Sequence, residues 1–167
     1  MRISPGEFWL GTASGFDMSC GSKGLKGTSK MNQLEREVMG LLVSGDHPLL
    51  ASLRDQLAVA KVTRREFTGV GFFTYFEVPL AAQRLPSSRR LVLSDVHADI
   101  QGLEHGAGFL LFVEDGALNN LECSICENAW PSNAKLVRVF FIHPESPNSS
   151  SLVDTKARDL AWALKEE

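Results

Sequence analysis

The chain has 167 residues and a formal net charge of −3, and 44% of its residues are hydrophobic. That length suits one domain with its own core, and the slightly acidic balance argues against an electrostatic nucleic-acid binder. Its apolar runs, such as FLLFV at 109–113, are far shorter than the roughly 20 residues of a membrane helix.

Residues 1–30 form a segment of distinct composition. They hold six of the fourteen glycines and show neither helical nor strand periodicity. Because glycine-rich backbone loses much conformational entropy on ordering, we predict a flexible leader or a non-native extension ahead of a body that begins at Met31. Phe8, Trp9 and Phe16 leave open the alternative that this segment docks on the body.

Residues 31–60 predict two helices. Asn32 with Glu35 three residues later is typical of a capping box, and Pro48 suits the first turn of a second helix. An αα-hairpin with its apolar stripe facing a sheet is expected. The stripe of the first helix consists of Leu34, Val38, Leu41 and Leu42.

From residue 61 the apolar period changes from 3.6 to 2, which indicates strands. Asp115 and Gly116 between two apolar runs predict a tight hairpin, and short links favour an antiparallel meander. Strands are predicted at 61–68, 70–78, 91–100, 108–113, 117–123 and 135–142.

The remaining residues, 143–167, begin with HPESPNSSS, a linker by composition. An amphipathic helix is predicted after it, with Val153, Ala157, Leu160, Ala161 and Leu164 on one side. The fold class is therefore α+β: one domain over 31–142, with an N-terminal αα-hairpin packed on a mainly antiparallel β-meander of about five or six strands, and a C-terminal helix.

The segments FTGVGFFTYFEVP, GAGFLLFVEDGALNNLE and WP, taken together, resemble an uncharacterised family of small bacterial proteins with a GAGFxLFVxDGxLxxLE…WP pattern. The resemblance covers about two thirds of the chain. It implies one fold over that stretch and no particular activity. The chain departs from the pattern at Cys123 and Cys126, where the family tends to have glycine and an aromatic residue.

Cys123 and Cys126 form a C-x-x-C pair. A structural zinc site needs four nitrogen or sulfur ligands, and a redox pair sits where a strand enters a helix. This pair instead runs from a strand into a turn stopped by Pro131, so we interpret both as packing cysteines. Three cysteines in total, with no signal-peptide core, are typical of a reducing cytoplasm.

Asp95, His97 and Asp99 alternate along one predicted strand, which puts them on one face. A metal site would need Glu104 or His105 to join them. Residues on one face of a strand stand about 7 Å apart, so one ion does not readily bridge all three. The solvated face of a half-buried strand is the favoured interpretation, and whether the three bind anything stays open.

The stretch GFFTYF places aromatic side chains on both faces of a strand. One helical layer covers only one face, which leaves the other for a partner. Glu122 and Glu127, near Trp130, are candidates for acid/base chemistry, for binding a basic partner, or for plain surface acids beside a turn. The predicted partner surface consists of Phe72, Phe73, Tyr75, Glu122, Glu127 and Trp130.

No catalytic residue, metal ligand or cofactor is assigned. The favoured function is a small cytoplasmic interaction module that binds or neutralises another protein, and the alternative is a small-molecule binding protein or enzyme with a pocket between helices and sheet. The expected partner is another protein or a second copy in a homodimer, joined through an open sheet face or edge. Neither nucleic acid nor membrane is expected. In a competing arrangement the C-terminal helix, through Leu160, Trp162 and Leu164, covers the second face.

Overall fold

The computed structural model describes residues 30–86, 90–146 and 149–164. Apart from Lys30, the predicted leader lies outside the described residues. The helices are α1 (Gln33–Leu42), α2 (Pro48–Val59) and α3 (Leu160–Leu164). The strands are β1 (Lys61–Phe67), β2 (Gly71–Glu77), β3 (Leu91–Ile100), β4 (Ala107–Glu114), β5 (Ala117–Ser124), β6 (Leu136–Pro144) and β7 (Leu152–Thr155). The predicted α+β class is confirmed.

Both helix starts form as predicted. The Asn32 side chain accepts a hydrogen bond from the backbone amide of Glu35 at 2.9 Å, and the Asn32 amide donates to the Glu35 carboxylate at 2.7 Å. Pro48 opens α2, where its missing amide proton costs no helical hydrogen bond. His47 precedes it, and its Nδ1 accepts from the amide of Leu49 at 3.2 Å. Local sequence signals therefore determine where both helices begin.

The described strands form one antiparallel sheet in the order β1-β2-β5-β4-β3-β6-β7. This order differs from a simple meander, because β2 pairs with β5 and β6 adds outside β3. Strands β5 and β4 lie between β2 and β3 in the sheet. Gly71 lies where β2 meets β5, and a Cβ there would come 1.9 Å from the carbonyl oxygen of Cys123. At Gly71 the backbones of the two strands therefore approach too closely for a side chain.

The C-terminal part differs from the predicted linker and helix. Leu152–Thr155 is strand β7, which pairs with β6, and within the described residues helix α3 spans Leu160–Leu164. The spacing of Val153 and Ala157 fits a helix, but the outer edge of β6 offers backbone partners that a short strand satisfies at once. Pairing across the sheet therefore overrides the helical pattern in this segment.

Helix α3 packs on the same side of the sheet as α1 and α2. It contacts β3, and a Cβ added at Gly45, between α1 and α2, would lie 3.2 Å from a methyl group of Leu160. The competing arrangement, in which this helix covers the second face, is therefore wrong. One core lies between the three helices and one face of the sheet. Its fully buried members include Leu42, Leu50, Leu53, Phe109, Leu111 and Leu121.

No helix among residues 30–86, 90–146 and 149–164 has the length and apolar character needed to cross a membrane.

Candidate functional site

The second side of the sheet carries an apolar surface. In β4, Phe109, Leu111 and Val113 are buried in the core, while the alternating residues Leu110 and Phe112 are only partly buried. None of the described helices lies on the side to which Leu110 and Phe112 point. We call this side the open face. Its apolar side chains, none of which belongs to the core cluster, are Phe73, Tyr75, Val92, Leu110, Phe112 and Phe140.

Strand register makes these side chains neighbours across the sheet. One row runs over four strands, Tyr75, Asn120, Phe112 and Val92. A second row runs over three, Phe73, Glu122 and Leu110. A third row crosses from β4 to β6 and consists of Gly108, His97 and Phe140. Residues that face each other on adjacent strands are in contact distance. These side chains therefore form one surface from β2 to β6, in which Asn120 and Glu122 of β5 separate the apolar residues of β2 from those of β4.

Three arginines lie over aromatic rings of this face. The guanidinium carbon of Arg64 is 4.0 Å from the centroid of the Tyr75 ring. The corresponding distance is 4.5 Å from Arg90 to the Phe112 ring. It is 4.3 Å from Arg138 to the Phe140 ring. Such cation–π contacts hold the guanidinium groups at the surface.

Each of these arginines is also paired with an acid. Arg64 lies 3.3 Å from Glu66, and Arg90 lies 3.4 Å from Glu114. The third, Arg138, donates hydrogen bonds to both Asp99 and Asp154. The open face therefore has an apolar middle and a rim of neutralised charges, which is the usual anatomy of a protein interface.

Glu122 is a charged residue among the apolar side chains of this face, and unlike the charges at the rim it is not neutralised. It is half-buried between Phe73 and Leu110, and its carboxylate has no hydrogen bond or ion pair to any residue that the structure describes. A carboxylate amid apolar side chains is costly to cover unless the partner brings a hydrogen-bond donor or a cation. Glu122 therefore limits what this face can bind.

His97 is half-buried on the same face, with its ring 6.3 Å from that of Phe140. Burial lowers the pKa of its imidazole, and the neighbouring Asp99 opposes that shift. The ring is therefore neutral at neutral pH, with one nitrogen able to donate. No residue in the described ranges forms a hydrogen bond with it.

The predicted trio of Asp95, His97 and Asp99 does not share one face. Register shifts in β3 between Leu93 and Val96, and this bulge turns Asp95 to the helical side, where it is 1% exposed. There Arg158 donates two hydrogen bonds to its carboxylate at 2.6 and 2.8 Å. The expectation of a common face is wrong because a bulge reverses the alternation. No group of three or more potential ligands for a metal ion exists among the described residues.

The two cysteines of the C-x-x-C pair lie in different environments. Cys123 is buried in the core, and burial, with a smaller contribution from Glu122, raises the pKa of its thiol well above the ordinary value. It is therefore a protonated packing residue, as predicted. Cys126 is exposed, so its interpretation as a packing cysteine is wrong.

The predicted partner surface divides into three parts. Phe73, Tyr75 and Glu122 lie together on the open face. The buried pair Phe72 and Trp130, each 1% exposed, stacks edge to face with ring centroids 5.9 Å apart. These two belong to the core, because Phe72 alternates with Phe73 and the loop after β5 folds back over it.

Glu127, the sixth residue of the predicted partner surface, binds the backbone of the loop between β3 and β4. Its carboxylate accepts hydrogen bonds from the backbone amides of His105 at 3.1 Å and Glu104 at 2.8 Å. The bond from His105 is the main reason why the pKa of Glu127 lies below its usual value. Glu127 and Glu122 therefore have separate roles, and the predicted carboxylate pair does not form a site.

Four buried polar side chains between helices and sheet are hydrogen-bonded within the chain. The Gln56 amide donates to the carbonyl oxygens of Gln83 and Gly116, both at 2.8 Å, and accepts from the amide of Leu118 at 3.0 Å. The others are Glu35, Thr74 and Asp95, each hydrogen-bonded within the chain. These interactions bind the helices to the sheet.

Comparison of the chain with protein-family models, curated proteins and solved structures gives no match. The resemblance to a family of small bacterial proteins stays a prediction. The geometry of the open face is therefore the basis for a functional proposal.

Proposed function

We propose that this protein is a small interaction module that binds another protein, a second copy of itself included, through the open face of its sheet. The observation that carries this proposal is the largely apolar surface opposite the helices, which no described residue covers. Apolar area removed from water is worth about 25 cal/mol per Å². An uncovered patch of this kind is typical of a binding surface.

The composition of the open face supports protein binding over small-molecule binding. Phenylalanine and tyrosine form its middle, and arginines held over their rings form its rim, as at Arg64 and Arg138. Aromatic residues and arginine are enriched in protein interfaces. The free thiols of Cys123 and Cys126 suit a reducing compartment, so we place the interaction in the cytoplasm.

The alternative, an enzyme or small-molecule binder with a site between helices and sheet, has less support. A substrate site needs polar groups that are free to engage a ligand. On the helical side Glu35, Gln56 and Asp95 are committed to internal hydrogen bonds. The open face offers unpaired polar groups at Glu122 and His97, but on a broad surface that suits a macromolecule.

A photo-crosslinker tests the proposed function. A benzophenone amino acid at Phe112, on the open face, should give a discrete protein adduct when the full chain is irradiated in the cells that produce it. The matched position is Leu80, which is 95% exposed on the loop after β2, and it should give none. Equal adducts from both positions, or none from either, would contradict an interaction through the open face.

A further inference from the structure

We propose that the open face binds a second copy of this chain, packed face to face about a two-fold axis parallel to β4, so that Glu122 of each copy meets His97 of the other. This inference rests on the proposed function and names its partner. It follows from the carboxylate of Glu122 and the imidazole of His97 on the open face, from the area of that face, and from the charges at the edges of the sheet.

Glu122 and His97 are complementary groups that cannot reach each other within one chain. The carboxylate of Glu122 accepts hydrogen bonds and the imidazole of His97 donates one, and neither has a hydrogen bond within the described residues. Strand β4 lies between their strands, which separates the two backbones by about 10 Å. A surface that carries both a free acceptor and a free donor is self-complementary, as a two-fold interface requires.

The area of the open face suits a dimer. Seven strands about 4.8 Å apart span nearly 30 Å, and a typical strand here is about 20 Å long. The plan area is therefore about 600 Å², and side-chain relief brings the accessible surface close to the 800 Å² or so that each partner buries in a standard interface. Two such sheets pack about 10 Å apart, as in a β-sandwich.

The edges of the sheet are less suited to pairing with another copy. The outer strand β1 carries Lys61, Arg64 and Arg65, and its register shifts between Val62 and Arg64. Charged residues and bulges on an edge oppose strand addition. The other edge strand, β7, has only four residues. Contact through the face is therefore favoured over contact through an edge.

The unpaired carboxylate also determines the direction of the axis. An axis parallel to the strands through β4, the fourth of seven, places β5 over the partner's β3 and β2 over its β6. Glu122 then lies two residues, about 7 Å, along the strand from the partner's His97, and both side chains reach into the gap. An axis perpendicular to the strands would place β5 on β5, and at the level of Glu122 it would bring two carboxylates together, which is repulsive.

Two charge variants and their mixture test this contact. In full-length protein, Glu122→Lys places a cation near the partner's His97, and His97→Glu places two acids together. In the first variant His97 loses its acceptor carboxylate and the new lysine is covered without a counter-charge, and in the second two carboxylates repel each other. Each variant alone should therefore dimerise at least about tenfold more weakly in sedimentation equilibrium. An equimolar mixture should regain dimerisation, since the new lysine then faces the new glutamate and the remaining native pair is intact.

The control is Glu37→Lys, the same charge change at an exposed position of α1, which should leave dimerisation unchanged. Circular dichroism verifies that each variant is folded. A mixture no better than its components would overturn the proposed contact, and a wild-type chain that stays monomeric at every concentration would overturn the dimer. If the Phe112 crosslinker then gives an adduct with a different protein, the proposed function stands without the dimer. If it gives no adduct, both fail.

Discussion

Replacing Glu35 by alanine is expected to lower the free energy of unfolding by about 3–5 kcal/mol. Its carboxylate is 0% exposed, and it accepts hydrogen bonds from Arg65 at 2.7 Å and Thr74 at 2.6 Å as well as from the amide of Asn32. The variant leaves the Arg65 guanidinium, only 16% exposed, without its buried counter-charge. One side chain thus caps α1 and fastens it to β1 and β2.

Urea unfolding at a fixed protein concentration measures this loss. The control is Glu37→Ala on the same helix, which removes an exposed carboxylate and should change stability little. Glu35→Gln keeps the shape and one acceptor, so its loss should fall between the two. If Glu35→Ala were no more destabilising than Glu37→Ala, the buried network would not stabilise the fold.

Replacing Asp95 by alanine is expected to cost a similar amount, about 3–5 kcal/mol, because it leaves a buried guanidinium unpaired. The Asp95 side chain is 1% exposed, and the Arg158 side chain is 6% exposed. Arg158 also donates to the carbonyl oxygen of Ser44 at 2.6 Å. The ion pair therefore ties the segment after β7 both to the bulge in β3 and to the loop between α1 and α2.

A double-mutant cycle of Asp95→Ala and Arg158→Ala should show strong coupling between the two positions, measured by urea unfolding. Limited proteolysis of Asp95→Ala should first cut the segment from β7 onward, because its anchor is lost. Asp99→Ala, on the same strand but in an exposed ion pair with Arg138, should do neither. Additive single effects would show that the pair does not act as an anchor.

Helix starts and most strands were predictable because their signals are local. The capping box of Asn32 and Glu35 and the proline that opens α2 act within one turn of helix. The Asp115-Gly116 turn between β4 and β5 is equally local, with both residues at positive φ. These features depend on neighbours a few residues away, so the sequence displays them directly.

Features that depend on distant partners were not predictable. The bulge in β3 that buries Asp95 serves an arginine 63 residues further along the chain. Strand β7 forms because β6 offers an edge, and its own residues fit a helical period as well. The order of strands depends on the pairing of β2 with β5, which no short-range signal encodes.

The candidate site was partly predictable. Alternation correctly indicated aromatic residues on both faces of β2, but it did not tell which of Phe72 and Phe73 faces the helices. Trp130 was assigned to the surface, since a loop that folds back over the core leaves no periodic signal. The arginines over the aromatic rings, Arg64, Arg90 and Arg138, were missed for a related reason. The partners of Arg64 and Arg90 become neighbours only when the sheet forms. Arg138 lies two residues before Phe140 on the same strand, and nothing in the sequence shows that the two side chains are in contact.

The measurement that tests the central claim most directly is hydroxyl-radical footprinting of the full-length protein over a range of concentrations. Interfaces of this size have dissociation constants from micromolar to picomolar. As the protein concentration rises through the dissociation constant of the dimer, we expect the oxidation rates of four residues to fall several-fold, those of Phe73, Tyr75, Phe112 and Phe140. The oxidation rate of Leu80 should stay constant. Rates at the four aromatic residues that do not depend on concentration would contradict a second copy on the open face.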